Sequence, residues 1–197
     1  MTLTCTPADL AALLQQGSAA IFPTDTLPAL ACKPEAAELL WELKQRPRHK
    51  PVILMAASAE QLLECLGRPI EAAWQQMAER YWPGALTLVV PRHPDLPANL
   101  SPLPTVGVRM PNHAFTLELL RRAGPLATSS ANLSGETNTL TAQQVWEQLA
   151  GRVELILDGG PVPGGVPSTV VDCTQDSLRI LRQGAISEEV ITRLLRA

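Results

Sequence analysis

The segment KQRPRHKP, residues 44–51, places four cations within seven residues of an otherwise mildly acidic chain. Those cations are Lys44, Arg46, Arg48 and Lys50. The segment follows an apolar pattern that predicts a helix, and cations favour a helix C-terminus, which accounts for one or two of the four. Arginine grips an oxyanion with a planar fork, and lysine supplies a point charge. The pattern predicts a phosphate or carboxylate site, with a solvated charged turn as the alternative.

Three further segments carry polar groups that suit a ligand. TSSANLSG at 128–135 follows a predicted strand and is rich in hydroxyls, so it can wrap an anion or form a plain turn. DGGPVPGGVPST at 158–169 predicts a loop that approaches a ligand or only connects two elements. PTDT at 23–26 ends the first predicted strand, and its acid either binds a metal-nucleotide or caps a turn.

Several common catalytic patterns are missing from the sequence. The three histidines lack the spacing of metal ligands, and no Ser-His-Asp set, GxxxxGK[ST] or GxGxxG appears. We therefore expect no metal site built from protein ligands and no covalent catalysis. The residues favour holding an anion and stabilising it electrostatically, as in phosphoryl or nucleotidyl transfer.

Composition limits the class of protein. The chain has 197 residues, a net charge of −3 and a pI near 5.6, so its whole surface does not attract nucleic acid. Its length predicts one domain, residues 1–197. No apolar run is long enough to span a bilayer, and the first residues do not resemble a signal peptide. The four cysteines form no CxxC pair and indicate a reducing, cytoplasmic location.

Hydrophobic periodicity and capping signals predict an α/β fold with a mixed sheet, because helices and strands alternate irregularly. Capping signals place helices after Thr6, Ser58, Asn112, Thr141 and Ser187. Two more helices are predicted at 34–43 and from Pro69 to about residue 81. Strands are predicted at 19–22, 52–56, 85–90, 105–110, 126–128, 153–157, 169–171 and 178–181.

Taken together, the segments resemble the YrdC/TsaC family of threonylcarbamoyl-AMP synthases. The resemblance runs in order over about residues 8 to 186. The matching segments are PTDT at 23–26, LKQRP at 43–47 with KP at 50–51, WPGALTLVV at 82–90, VGVRMPNH at 106–113, SSANLSG at 129–135, GGVPSTVVD at 164–172 and LRQG at 181–184. Seven motifs in one order are far more specific than any of them alone.

The resemblance implies a twisted, open mixed β-sheet with flanking helices around a concave basic cavity. It implies synthesis of threonylcarbamoyl-AMP and pyrophosphate from L-threonine, bicarbonate and ATP with Mg²⁺. A partner complex then transfers the threonylcarbamoyl group to tRNA. The implied catalytic residues are Lys44, Arg46 and Lys50; the implied ATP-binding residues are Arg46, Lys50, Ser130, Asn132, Ser134 and Arg182; and those facing threonine and its carbamate are Thr26, Arg109 and Ser168.

One segment departs from the family pattern. Relatives usually continue PT(D/E)T with an aromatic residue and glycine, whereas this chain has Leu27-Pro28-Ala29. Proline fixes φ and removes an N–H, so the wall of the substrate site must differ there. Two alternatives stay open: an RNA-binding module that uses a basic concave face, and a catalytically silent paralogue that binds nucleotide or threonine.

Overall fold

The computed structural model describes residues 5–65, 72–149, 151–153, 155–158, 162, 165–175 and 178–194. The predicted glycine- and proline-rich loop at 158–169 is therefore described only in part. The predicted start of a helix at Pro69 also lies outside the described residues.

Nine described strands form one mixed sheet. They are β1 (Ala20–Phe22), β2 (Ala29–Cys32), β3 (Ile53–Met55), β4 (Leu86–Pro91), β5 (Thr105–Arg109), β6 (Leu126–Ser130), β7 (Leu155–Ile156), β8 (Thr169–Asp172) and β9 (Arg179–Arg182). Their order across the sheet is β7-β1-β2-β6-β3-β5-β4-β8-β9. Three of the neighbouring pairs, β1–β7, β3–β5 and β4–β8, are parallel, and the others are antiparallel. The predicted fold class, α/β with an open mixed sheet, is confirmed.

Seven described helices flank this sheet. They are α1 (Pro7–Gln15), α2 (Glu38–Leu43), α3 (Ala59–Leu63), α4 (Ala72–Tyr81), α5 (Ala114–Ala123), α6 (Ala142–Leu149) and α7 (Glu188–Leu194).

The cap of α1 forms as predicted, because Thr6 Oγ1 accepts from the backbone N–H of Asp9 at 3.2 Å and Asp9 accepts in return from the N–H of Thr6. Ser58 and Thr141 likewise accept from the N–H groups of Gln61 and Gln144. None of the described helices has the length and apolar character needed to cross a bilayer.

Two local predictions are wrong, and one strand was missed. Residues 34–43 do not form one continuous helix. Pro34–Ala36 form a 3₁₀ turn, because the first turn closes onto the carbonyls of Lys33 and Pro34 with short-range hydrogen bonds, and α2 begins only at Glu38. The residue that caps α5 is His113 rather than Asn112, and its side chain makes no capping bond. Strand β2 was not predicted at all.

The two faces of the sheet have different coverings. Alternate strand residues such as Leu54 and Val108 point into the main core, where Trp41 and Trp74 pack. On the opposite face a second core joins α1 and α5 to the β1–β2 end of the sheet, through residues that include Leu10 and Leu119. Each fully buried side chain of this kind contributes roughly 1.5–3 kcal/mol. Beyond this second core, the same face of the sheet is open and forms a cavity.

Candidate active site

The open sheet face encloses a cavity of about 640 Å³. Its floor consists of alternate strand residues, since every second side chain of a strand points to the same face. Thr87 and Val89 of β4 lie there beside Gly107 of β5, and Val170 and Asp172 extend the floor along β8. Gly107 adds no side chain to the floor and so keeps the cavity deep at its centre; a Cβ at this position would lie 3.3 Å from Thr87 Cγ2.

Cationic side chains dominate the polar lining of the cavity. Among the described residues that line it are five cations and one carboxylate: Arg46, Lys50, Arg109, Arg179, Arg182 and Asp172. Burial lowers the pKa of Arg46, and the nearby positive charge of Arg182 lowers it further. Burial also lowers the pKa of Arg109 and of Arg182. Three guanidinium groups therefore converge without enough local negative charge to balance them, and the cavity is suited to a polyanion.

Arg46 is directed into the cavity by the backbone that precedes it. Gln45 has a φ of 51°, which turns the chain sharply after α2. The Arg46 guanidinium donates to the carbonyl oxygens of Pro51 at 2.9 Å and Lys50 at 3.4 Å, so its fork is held in one orientation. Lys50 lines the same wall with an exposed side chain. Arg48 instead pairs with Glu38 at 3.2 Å outside the cavity.

Arg109 is buried at the end of β5 and joins the PTDT segment to the sheet. Its side chain is 3% exposed and donates to Asp25 Oδ1 at 2.7 Å, Thr26 Oγ1 at 2.8 Å and the carbonyl of Gly84 at 3.0 Å. The carboxylate of Asp25 partly offsets the effect of burial on the Arg109 pKa. Thr24 orders the turn by accepting from the Thr26 N–H at 3.1 Å. The PTDT segment is therefore a turn, and Thr26 and Arg109 both line the cavity.

Ser168 and Arg182 meet on the opposite wall. Arg182 donates to the Ser168 carbonyl at 2.9 Å and to its hydroxyl at 3.1 Å, and that hydroxyl shares a 2.8 Å hydrogen bond with Thr87. Gly184 permits this arrangement, because a Cβ at this position would lie 2.6 Å from the Ser168 carbonyl oxygen. Both predicted site residues of this wall therefore lie at the cavity.

The SSANLSG segment contributes its first two residues, Ser129 and Ser130, to the cavity lining. The predicted site residues Lys44, Asn132 and Ser134 do not line the cavity. Lys44 is 1% exposed and its ammonium donates to the carbonyl of Ser130 and to Asn132 Oδ1 at 3.2 Å. Its own carbonyl accepts from the Ser134 N–H at 3.0 Å. Burial, and secondarily the charge of Arg46, lowers the pKa of Lys44 to about 7.

The sequence did not single out several residues of the lining. Thr87, Asp172 and Arg179 reach the cavity because they lie on the open face of β4, β8 and β9. The sequence could have indicated Thr87 and Asp172, because they are polar residues within the apolar strands ALTLVV and STVVD. Side chains alternate between the two faces of a strand, so such a residue often marks the face turned to a ligand. The divergent Leu27-Pro28-Ala29 also lines the cavity, and the Pro28 carbonyl accepts from the Ala131 N–H at 2.8 Å.

Comparison with known proteins places the chain among related sequences and folds. Residues 12–184 match the family model Sua5/YciO/YrdC, whose description is "Telomere recombination". A threonylcarbamoyl-AMP synthase of Bacillus subtilis is 41% identical over 194 residues, which is 95% of this chain and 56% of that protein. The chain thus spans little more than half of this relative.

Two solved structures share the fold. Pyrococcus abyssi Sua5 complexed with L-threonine superposes with a TM-score of 0.92 at 36% identity, over 96% of this chain and 57% of that one. Escherichia coli YciO superposes with a TM-score of 0.85 at 26% identity, over 94% of this chain and 92% of that one. The family model covers most of the sequence, and the seven motifs that carry the resemblance fall within the matched range. The chain belongs to the Sua5/YciO/YrdC family.

Proposed function

We propose that this chain is an L-threonylcarbamoyladenylate synthase, a nucleotidyltransferase that forms threonylcarbamoyl-AMP and pyrophosphate from L-threonine, bicarbonate and ATP. The observation that carries the proposal is the convergence of Arg46, Arg109 and Arg182 on one cavity of about 640 Å³. A B. subtilis relative named threonylcarbamoyl-AMP synthase and a Sua5 structure with L-threonine bound support it.

The residues suit a reaction that needs no protein nucleophile. Threonine and bicarbonate supply a carbamate, whose oxygen attacks the α-phosphorus of ATP while the bond to pyrophosphate breaks. Negative charge then grows on the leaving pyrophosphate, and fixed cations stabilise it. Arg46, Lys50 and Arg182 hold the phosphates in this proposal. Arg46 needs little reorganisation, because two backbone carbonyls already hold its fork.

The threonine site lies against the buried arginine in this proposal. Arg109 can face the carboxylate or carbamate of threonine, and the hydroxyls of Thr26 and Ser168 stand on either side of the cavity. Arg109 is fixed by three hydrogen bonds, so it offers a rigid positive charge rather than a mobile one. Rigid placement of both reactants lowers the entropic part of the barrier.

Mg²⁺ enters with ATP as part of the substrate. Within the described residues no group of three or more His, Cys, Asp or Glu side chains could hold a metal ion. This fits an ion carried mainly by phosphate oxygens and water, as Mg²⁺ usually is in nucleotide sites. The ion would shield the charge of the phosphates, and Asp172 is the carboxylate among the described lining residues.

The product must be consumed by an enzyme that transfers the threonylcarbamoyl group to tRNA. We propose a tRNA threonylcarbamoyl transferase complex as that partner, tRNA itself as a further ligand of the basic face, and a cytoplasmic location. Cys5, Cys32 and Cys65 form no disulfide bond, which supports a reducing compartment.

Pyrophosphate release tests the proposal directly. Purified protein is supplied with ATP, Mg²⁺, L-threonine and bicarbonate, and each is omitted in turn. We expect release only with the complete mixture and a large decrease when serine replaces threonine. Binding of ATP and threonine without release would instead favour the silent paralogue and direct attention to Leu27-Pro28-Ala29. RNA affinity with steep salt dependence and no turnover would favour the RNA-binding module.

A matched pair of variants tests the phosphate site. Arg46→Ala removes a guanidinium of the cavity, whereas Arg48→Ala removes one from the same segment that pairs with Glu38 outside it. We expect ATP affinity to decrease at least tenfold in the first variant and to stay near wild type in the second. Equal affinities in the two variants would refute this placement.

A further inference from the structure

The start of α5 is joined to the PTDT segment by a buried hydrogen bond. Thr116 lies in the first turn of α5, is fully buried, and donates through its hydroxyl to the carbonyl oxygen of Pro23 at 2.6 Å. Pro23 is the first residue of PTDT and follows directly after β1. Neither residue lines the cavity. Any effect of this bond on a ligand therefore passes through the rest of the turn.

The same bond determines which nitrogen of a neighbouring imidazole carries the proton. The Thr116 hydroxyl gives its single proton to the Pro23 carbonyl, because a carbonyl oxygen can only accept. His113 Nδ1 lies 3.3 Å from that hydroxyl, so Nδ1 must be the donor there. Burial lowers the pKa of His113 from its ordinary value of 6.5, and the charge of Asp25 acts in the opposite direction. Above pH 7 the ring is therefore mainly neutral, with its proton on Nδ1 and none on Nε2.

Pro23 leads into a turn whose later residues hold the buried arginine of the cavity. The Thr24 hydroxyl accepts from the Thr26 N–H at 3.1 Å, which closes the turn. Asp25 and Thr26 accept from the Arg109 guanidinium at 2.7 Å and 2.8 Å. A shift of the Pro23 carbonyl would therefore be transmitted to both of these acceptors.

Helix α5 gives the turn a firm support. Its residues Leu119, Leu120 and Ala123 are buried in the second core, where α1 also packs. Close-packed interiors resist small displacements, so a group attached to such a helix is held in place. The Thr116 hydrogen bond therefore fixes the PTDT turn at the point where the second core ends and the cavity begins.

We propose that Thr116 and His113 are positioning residues for the threonine site. His113 orients the Thr116 hydroxyl, Thr116 holds the Pro23 carbonyl, and the turn thus fixed directs Arg109 toward the carboxylate or carbamate of threonine. Neither positioning residue touches the ligand. The inference rests on the proposed use of threonine.

The effect of losing this bond follows from the burial of Pro23. Without the Thr116 hydroxyl, the buried carbonyl loses a donor, and the turn gains free energy by moving so that water can reach that oxygen. The turn that directs Arg109 then becomes a minor state. The apparent affinity for threonine falls in proportion to the population of that state.

Substitutions of Thr116 test the role of its hydroxyl. Thr116→Val removes the hydroxyl at nearly unchanged volume, whereas Thr116→Ser keeps it. Calorimetry measures the affinities for L-threonine and ATP. We expect Thr116→Val to bind L-threonine about tenfold more weakly than wild type and ATP within about twofold, and Thr116→Ser to bind both like wild type. Thr6→Ala is the control for a general loss of stability, because it removes the cap of α1, which packs in the same core, and leaves PTDT untouched. It should bind L-threonine like wild type.

Two results would overturn the positioning role of Thr116: a Thr116→Val variant that binds L-threonine like wild type, or one that loses L-threonine and ATP affinity equally, as a general structural defect would cause.

The state of the ring tests the role of His113. Nitrogen-15 chemical shifts of wild type at pH 8 should show the His113 proton on Nδ1, and Thr116→Val should change them because the partner of Nδ1 is removed. His113→Asn keeps a side-chain donor near the position of Nδ1 and should bind L-threonine like wild type, whereas His113→Ala should bind it about threefold more weakly. A wild-type ring protonated only on Nε2 would overturn this role.

The Arg109 side chain separates this inference from the proposed function. Its Nε–H donates to the Gly84 carbonyl at 3.0 Å and is buried, so its NMR resonance can be followed without any ligand. We expect this resonance to shift in Thr116→Val and to stay in place in Thr6→Ala. Wild type that binds no L-threonine would reject the proposed reaction, and a shifted resonance would still support the positioning of Arg109. An unchanged resonance in Thr116→Val would overturn that positioning, even if wild type released pyrophosphate.

Discussion

The buried ammonium of Lys44 should make the stability of this protein depend on pH. Its pKa is lowered from 10.5 to about 7 in the folded chain, with burial as the main cause. One pKa unit corresponds to about 1.4 kcal/mol, so keeping Lys44 charged costs the folded state roughly 5 kcal/mol relative to the unfolded chain. In the unfolded chain Lys44 keeps its ordinary pKa of 10.5 and therefore holds its proton to higher pH.

The direction of the effect follows from proton linkage. Between about pH 7 and pH 10.5 the unfolded state binds more protons at Lys44 than the folded state. The cost of the buried charge is therefore complete below about pH 7, and it disappears as the pH rises toward 10.5. Over the two pH units from 7 to 9, we expect wild type to gain about 2 kcal/mol relative to a variant without this group.

Urea unfolding of wild type and Lys44→Met at pH 6, 7, 8 and 9 measures this difference. The other titrating groups are the same in both proteins, so their contributions cancel in the comparison. We expect the free energy of unfolding of wild type, minus that of Lys44→Met, to rise with pH above 7 and to be nearly flat between 6 and 7. A difference that stays constant from pH 6 to 9 would refute the reasoning.

Three further predictions concern contacts away from Lys44. Asp25→Ala removes the charged partner of the buried Arg109 and should lower the free energy of unfolding by about 3 kcal/mol, as measured by urea denaturation. Gly184→Ala forces a Cβ onto the Ser168 carbonyl and should cost about 1–3 kcal/mol; thermal unfolding like that of wild type would contradict this. Thr6→Ala removes the N-cap of α1 and should cost about 1 kcal/mol without changing ATP affinity.

Features governed by local chemistry could be predicted from the sequence. The caps at Thr6 and Ser58 depend on residues three positions apart, and both form as predicted. Capping signals are short in range, so a single sequence contains them completely. The cavity-lining positions of Arg46 and Ser168 instead agree with what the family resemblance implies.

Features governed by distant pairing could not be predicted. Strand β2 has the sequence ALAC, whose alanines have little intrinsic preference for a strand. It forms because β1 and β6 pair with it on both sides, with Ala29 opposite Phe22 and Ser130. The same limit applied to residues 44–51, where charge density marked a site but did not separate the roles of neighbouring cations.

The backbone at Gln45 explains that separation of roles. A left-handed residue between two cations sends Lys44 beneath the sheet face and Arg46 onto it. Lys44 then holds Ser130 from below, while the Arg46 fork is fixed by carbonyls within its own segment. Since neither cation is free to move toward a ligand, the segment supplies preorganised charge. Preorganisation is what distinguishes a site that stabilises a developing charge from a surface that merely attracts an anion.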